Sequence, residues 1–298
     1  MGAPGMTFPA ADRELLVNVA YRLLGSVSEA EDAVQEAYAR WYALGDRSQV
    51  GSPTGWLVTT VSRICLDVLG SARARRERYV GEWLPEPVPD STRWTSQTVS
   101  DGPADPADRV SLDESIGMAL LVVLDSMTPA ERVAFVLHDV FRYTFAEIGA
   151  IMGRSPQACR QLASSARRRV RARGHGHVPS EERTRVVAAL KSAWENGDLT
   201  ALVGLLDPDA TAVTDGGGVV SATLRPVHGA DAIARLLLGV RRRQPDLTIE
   251  PATVNGQAGL VARDGVGRTL AVVSVTIAGG FIDRVWAVRN PEKLTRWT

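Results

Sequence analysis

Two hydrophobic periods divide this chain. Up to about residue 80 the apolar positions recur every three to four residues, the spacing of helices with one buried face. "RELLVNVAYRLLGS" (13–26) carries such a stripe. "SEAEDAVQEAYARWYALG" (28–45) follows, with Ser28 as an N-cap candidate and acids in the first turn, where the helix dipole favours them. Gly25 and Gly45 read as helix ends. A third helix is predicted over "SPTGWLVTTVSRICLDVLGSARARRERYV" (52–80), with Pro53 near its start and Arg73, Arg75, Arg76 and Arg78 near its close.

Between 81 and 110 the period disappears. Pro85, Pro87, Pro89, Pro103 and Pro106 stand among polar and acidic residues, which reads as an extended linker. It nevertheless holds Trp83, Leu84 and Trp94, residues a solvated spacer has little use for, so part of it is expected to dock. Helical spacing returns over 111–174, in "SLDESIGMALLVVLDSM", in "TPAERVAFVLHDV" with Thr128 as N-cap and Pro129 at the first helical position, and in "FAEIGAIMGRSPQACRQLASSARRRVRAR". From about 180 the pattern mixes helices ("SEERTRVVAALKSAWENG", "DLTALVGLL", "GADAIARLLLGVRRR") with alternating strands ("ATAVTD", "LTIEPATVNG", "GLVARD", "TLAVVSVTIAGG", "FIDRVWAVR").

Composition alone says little: 298 residues, 45% hydrophobic, 23% charged and a formal net charge of zero describe an ordinary globular protein. Counted by segment, the charge is uneven. Residues 81–110 carry 2 basic and 6 acidic side chains, and 111–179 carry 9 and 6. The local field, not the global balance, bears on a nucleic-acid partner. Cys65 and Cys159 lack metal or disulfide spacing. No signal peptide or spanning segment is evident, so no membrane role and a cytoplasmic location are expected.

Chemistry concentrates at 145–173. Phe145, Ile148, Ile151 and Met152 make an apolar stripe, Gly153 permits a sharp turn, and Ser155 with Pro156 opens a new helix, a helix-turn-helix reading. The second helix is predicted to bury Ala158, Cys159 and Leu162 and to present Gln157, Arg160, Gln161 and Ser164 to base edges. Arg167, Arg168 and Arg169 then suit phosphate neutralisation.

Taken with "EAEDAVQEAYARWY" and "PTGWLVTTVSRICLDVL", this motif gives the chain a resemblance to the extracytoplasmic-function sigma factors. "WLPEP" (83–87), "DGGG" (215–218) and "NPEKL" (290–294) further resemble the SigJ-type subgroup, whose members carry a SnoaL-like domain. The resemblance implies a multidomain fold: an all-α sigma region 2 (7–80), a proline-rich acidic linker (81–110), an all-α region 4 helix-turn-helix (111–174) and an α+β NTF2-like cone (180–298). It implies that Glu29, Asp32 and Glu36, spaced i, i+3 and i+7 on one helix face, grip the β′ coiled coil of core RNA polymerase, with β a further partner. It places a flipped-base pocket at "GDRSQVGSPTGW", with Arg63, Arg73, Arg75, Arg76 and Arg78 on the phosphates of melted −10 DNA. Trp56 is either a stacking platform there or a core residue. The helix from Ser155 is the expected reader of duplex −35 DNA. Ser165 stands where the family usually has arginine, which implies one phosphate contact fewer.

For 180–298, Asp215, His228 and Asp283 are the candidate acids or bases, and Trp194 and Trp286 candidate walls, if the pocket were catalytic. Each has a plainer reading as turn, cap or core, and no catalytic residue, cofactor or metal is assigned. The favoured role is regulatory, carried by Trp83, Leu84, Pro85, Asp215, Asn290, Pro291 and Leu294, with room for a small ligand of unspecified chemistry. The alternative is a one-component regulator that binds duplex DNA without polymerase.

Overall fold

The structure, a computed structural model, describes residues 10–76, 79–89, 117–172 and 178–297. These divide into two compact bodies. One holds residues 10–73 and 123–172, and the other gathers 74–89, 117–122 and 178–297. The division does not follow chain order, because part of the linker belongs with the C-terminal residues.

In the first body, α1 (Ala10–Leu24), α2 (Val27–Ala43) and α3 (Pro53–Arg76) fulfil the predicted helical period. Leu16, Ala20, Leu23, Val34, Trp41, Leu57 and Val61 are all buried. The cap of α2 is Ser26, not Ser28: the Glu29 amide donates to Ser26 Oγ, and the extended backbone of Ser26 is what an N-cap needs. The helix ends at Leu44, one residue before Gly45. Helix α4 (Met118–Asp125) has residues 118–122 in the second body and 123–125 in the first, and α5 (Pro129–Phe135) follows, opened by Thr128 and Glu131 in a reciprocal capping box. A π-helical turn (Val136–Val140) leads to α6 (Phe145–Met152) and α7 (Pro156–Ala172).

Two arginines lie inside this body. The Arg132 guanidinium donates to the Leu23 carbonyl at 2.9 Å and to Asp125 at 3.0 Å. Arg22 sits 5.3 Å from the centroid of the Phe141 ring. Burial disfavours both charges and lowers each pKa to about 10, so both remain protonated at neutral pH.

The second body is the predicted α+β cone. Helices α8 (Ser180–Asn196), α9 (Leu199–Leu205) and α10 (Ala230–Arg243) accompany strands β1 (Leu206–Asp215), β2 (Val227–His228), β3 (Thr248–Val254), β4 (Gln257–Arg263), β5 (Thr269–Ala278) and β6 (Phe281–Val288). The sheet order is β2-β1-β6-β5-β4-β3, with β1 and β6 parallel and every other neighbouring pair antiparallel. Register shifts in β1, in β4 and in β5 against their partners bend the strands locally. The sequence pattern missed only the short β2.

Alternation along each strand gives the sheet two apolar faces. Ala271, Val273, Val275 and Ile277 of β5 join Leu190, Trp194, Ile233 and Leu237 in a helix-covered core. Val272 of β5, with Val254, Val261, Trp286 and Val288, points the other way. That second face is covered by Leu84, Met118, Leu294 and Trp297, so the linker, the first residue of the Met118–Asp125 helix and the C-terminal turns supply this layer.

Candidate nucleic-acid interface and the docked strap

Helices α6 and α7 form the expected helix-turn-helix. Thr144 and Glu147 close a capping box on α6, and Gly153 ends it in the left-handed region at φ 64°, where a side chain would be strained. Ser155 Oγ accepts the Ala158 amide at 3.2 Å and so caps α7. Cys159, Ala163 and Ala166 are buried, Ala158 and Leu162 half-buried, while Gln157, Arg160 and Gln161 are exposed. Ser164 is half-buried. Burial raises the Cys159 thiol above its ordinary pKa, which suits a packing cysteine.

The arginines of α7 are not equivalent. Arg168 and Arg169 are exposed, Arg169 lying 3.5 Å from Glu131, whereas Arg167 is half-buried and its Nε donates to Asp139 at 2.6 Å. Burial raises the Asp139 pKa even with Arg167 beside it. The Ser165 hydroxyl donates to Glu131 at 2.7 Å, so this position faces α5 instead of a phosphate.

In α2 the alternating burial separates an exposed acid pair, Asp32 and Glu36, from buried Ala33, Val34 and Ala37. Glu29 is half-buried in the first turn, and Glu36 accepts from Arg40 at 2.9 Å. Trp56 meets the buried Trp41 edge to face, with ring centroids 5.3 Å apart, and remains half-exposed. The loop after α2 is tied back by Arg47, which donates to the Trp41 and Tyr42 carbonyls. Arg63, an expected phosphate contact, is exposed and donates to the Ile151 and Ala150 carbonyls at 3.0 and 2.8 Å, completing acceptors at the end of α6. Arg73, Arg75 and Arg76 fall in the last turns of α3, while Arg78 and Trp94 lie outside the described residues.

On the second face of the sheet, three motifs that are far apart in sequence meet. Asp215, fully buried, accepts from Tyr79 Oη at 2.6 Å, the Leu84 amide at 2.9 Å, Lys293 Nζ at 2.7 Å and the Gly217 amide at 3.0 Å. Lys293 Nζ also donates to the Leu84 carbonyl and lies 4.2 Å from the Trp83 ring centroid. Asn290 Nδ2 donates to Tyr79 Oη at 2.9 Å and Asn290 Oδ1 accepts the Glu292 amide, holding the Pro291–Lys293 turn. Gly217, at φ 65°, stands where a Cβ would come within 2.5 Å of Asn290. Further along, Val88 exchanges hydrogen bonds with Asn255, Pro89 bridges to Val254 of the edge strand β3, and Trp297 Nε1 donates to the Pro87 carbonyl. Residues 79–89 are thus a strap that covers a sheet edge and an apolar face. Trp83, Leu84 and Pro85 were legible as docking residues. Tyr79, Lys293, Asn255 and Trp297 were not, although Lys293 is one of only two lysines among 34 basic residues.

Under the helices lies a cavity of about 320 Å³. Trp194 lines it as expected, its Nε1 spent on the Leu237 carbonyl. Trp286 belongs to the opposite face. Asp215, His228 and Asp283 do not line it: Asp215 is in the strap network, and His228 is exposed at the edge strand, 3.3 Å from Thr211 Oγ1. Asp283 is half-buried, 4.0 Å from Arg284.

Family profiles match in two places, Sigma-70 region 2 over residues 10–76 and Sigma-70 region 4 over residues 117–170. The chain is 41% identical over 95% of its length to the ECF RNA polymerase sigma factor SigJ of Mycobacterium tuberculosis, covering 91% of that protein. It is 36% identical, over 95% of this chain and 92% of the other, to the probable ECF RNA polymerase sigma factor SigI of the same organism. The crystal structure of Mycobacterium tuberculosis extracytoplasmic function sigma factor SigJ superposes with a TM-score of 0.73 at 37% identity, covering 96% of each chain. Among the described residues no helix is long and apolar enough to cross a membrane.

Proposed function

Since this chain belongs to the extracytoplasmic-function sigma factors of RNA polymerase, we propose how its parts divide the work of binding core polymerase and directing initiation at chosen promoters. Helix α7 reads the −35 element, with Gln157, Arg160 and Gln161 on base edges in the major groove and Arg168 on phosphate. The observation that carries this is the exposed N-terminal half of α7 behind the left-handed Gly153. Arg167 and Arg169 act indirectly, by fixing α7 to the π-helical turn and to α5.

The Asp32–Glu36 face of α2, with Glu29 at its margin, engages the β′ coiled coil, and β provides the second core contact. The segment 45–56, the loop after α2 with Trp56 in the first turn of α3, receives the displaced −10 base, and Arg73, Arg75 and Arg76 line the melted strand. The strap modulates activity, because the segment joining the two sigma regions is held by Asp215, Asn290, Pro291, Lys293 and Leu294. A tether shortened by docking changes the effective concentration of one promoter-reading region at the other.

Run-off transcription with purified core polymerase tests this, using promoters of graded spacer length and comparing the full chain with W83A. Initiation that requires the protein, with a spacer preference altered by W83A, is the expected outcome. Unchanged transcription by W83A sinks the modulating role. Duplex binding without any polymerase-dependent initiation sinks the whole assignment.

A further inference from the structure

The cavity beneath α10 has a composition that neither the promoter contacts nor the strap uses. Its walls are apolar, including Leu236, Leu237, Val240, Leu270, Val273 and Val285. Its charged lining consists of Arg243, at the end of α10, and Arg289, just past β6. Among the described residues neither guanidinium has a carboxylate partner. The Arg289 guanidinium donates to the Ser221 carbonyl of the loop that borders the cavity.

This arrangement costs free energy as it stands. Arg289 is half-buried, and its burial together with the nearby Arg243 charge pushes its pKa below the usual arginine value. A like-charged pair lining an apolar cavity is relieved by an anion, and a guanidinium offers a planar fork of donors to one. The Thr223 hydroxyl, also on the lining, is buried without a hydrogen-bond partner among the described residues. The remaining polar lining, Thr214, Ser221 and Gln244, is neutral. The volume lies at the small end of the range for ligand pockets.

We infer that this cavity binds a small apolar anion: a hydrocarbon or aromatic body within the apolar walls, and a carboxylate or phosphate monoester head held by Arg243, Arg289 and Thr223. Selectivity follows from both ends, since a neutral body of the same shape leaves the arginine pair uncompensated and a cation is repelled. The site shares strands with the strap: Thr214 and Arg289 line the cavity, while the adjoining Asp215 and Asn290 hold Tyr79.

Isothermal titration of the full chain, without polymerase or DNA, tests the inference independently of transcription. The probes are decanoate and decyl phosphate, with decanol and decyltrimethylammonium as neutral and cationic bodies of the same length. Expected is one site per chain for at least one anion, with decanol weaker by about tenfold or more and the cation silent, as loss of charge-assisted hydrogen bonds requires. R289Q can disturb the Ser221 loop, so R243Q, at an exposed helix end, is the deciding variant and weakens the anion by about tenfold. The ratio of decanoate to decyl phosphate affinity assigns the head group. Equal binding of decanol, undiminished binding by R243Q, or binding of neither anion overturns the inference.

Discussion

Asp215 shows how much one side chain can be asked to hold. Its two carboxylate oxygens take Tyr79, Gly217, Leu84 and Lys293, so it joins the strap, the glycine turn and the C-terminal turn. Replacing it by Asn leaves Lys293 buried beside a neutral group, and breaking a buried pair costs on the order of 3–5 kcal/mol. A drop of that size in the denaturant-unfolding free energy of D215N is expected; a loss below the surface-pair range would mean that the network is not formed. Glu131 carries a different signature. Burial raises its pKa, but hydrogen bonds from the Ser165 hydroxyl and from the Thr128 backbone and hydroxyl, with Arg169 beside it, hold the net value below the ordinary 4.5. A carboxyl depressed by folding stabilises above its unfolded pKa and loses that contribution as the pH falls through the folded value. Urea midpoints measured on either side of pH 4.5 should therefore fall more steeply on acidification in the wild type than in E131Q. Parallel acid limbs would remove Glu131 from the account.

Among the elements, α7 combines a buried stripe, a reading surface and a fixed base. Of the buried positions read from the spacing, Ala158, Cys159 and Leu162, only Cys159 is fully buried; the stripe runs on through Ala163 and Ala166, and Gln157, Arg160 and Gln161 are exposed as expected while Ser164 is half-buried. What spacing could not show is which arginines are already engaged. Arg167 meets an aspartate 28 positions earlier in the chain, across a π-helical turn that no periodicity announces. In polymerase-dependent promoter binding, Q161A should cost about 1–3 kcal/mol at one −35 position and relax selectivity there, whereas R168A should weaken all promoters alike and reduce the salt slope by about 1. Salt-titrated binding to matched and single-base-changed promoters distinguishes the two. Identical behaviour of the two variants would deny the division between base and phosphate contacts.

For the molecule as a whole, the boundaries between bodies matter more than those between sequence segments. The stretch that reads as linker contributes Leu84 and Val88, both buried, and Met118 from α4 lies in the same layer. Deleting 178–298 would therefore expose these residues and free the strap backbone from its partners. Limited proteolysis should cut the truncated chain within 79–89 under conditions where the full chain resists. Equal protection in both would show that the strap does not need the sheet. Transcription by such a truncation has to be read with this in mind, and W83A in the full chain is the cleaner comparison.

The sequence by itself determined the helical halves, the α+β C-terminal part, the cap of α5 at Thr128, the helix-turn-helix with the cap of its second helix at Ser155, and the suspicion that Trp83 and Leu84 dock. These follow from local causes: hydrophobic period, capping chemistry, and apolar residues in a polar context. Only the tertiary structure decided that Ser26 caps α2, that Arg63 donates to the carbonyls at the end of α6 and Arg167 to Asp139, and that Ser165 faces Glu131. It alone brought Tyr79, Asp215 and Lys293 together, and Arg243 with Arg289 around an apolar cavity. The physical reason is sequence distance. A hydrogen bond between residues 136 or 78 positions apart leaves no periodic trace, so its partners become visible only once the sheet has folded.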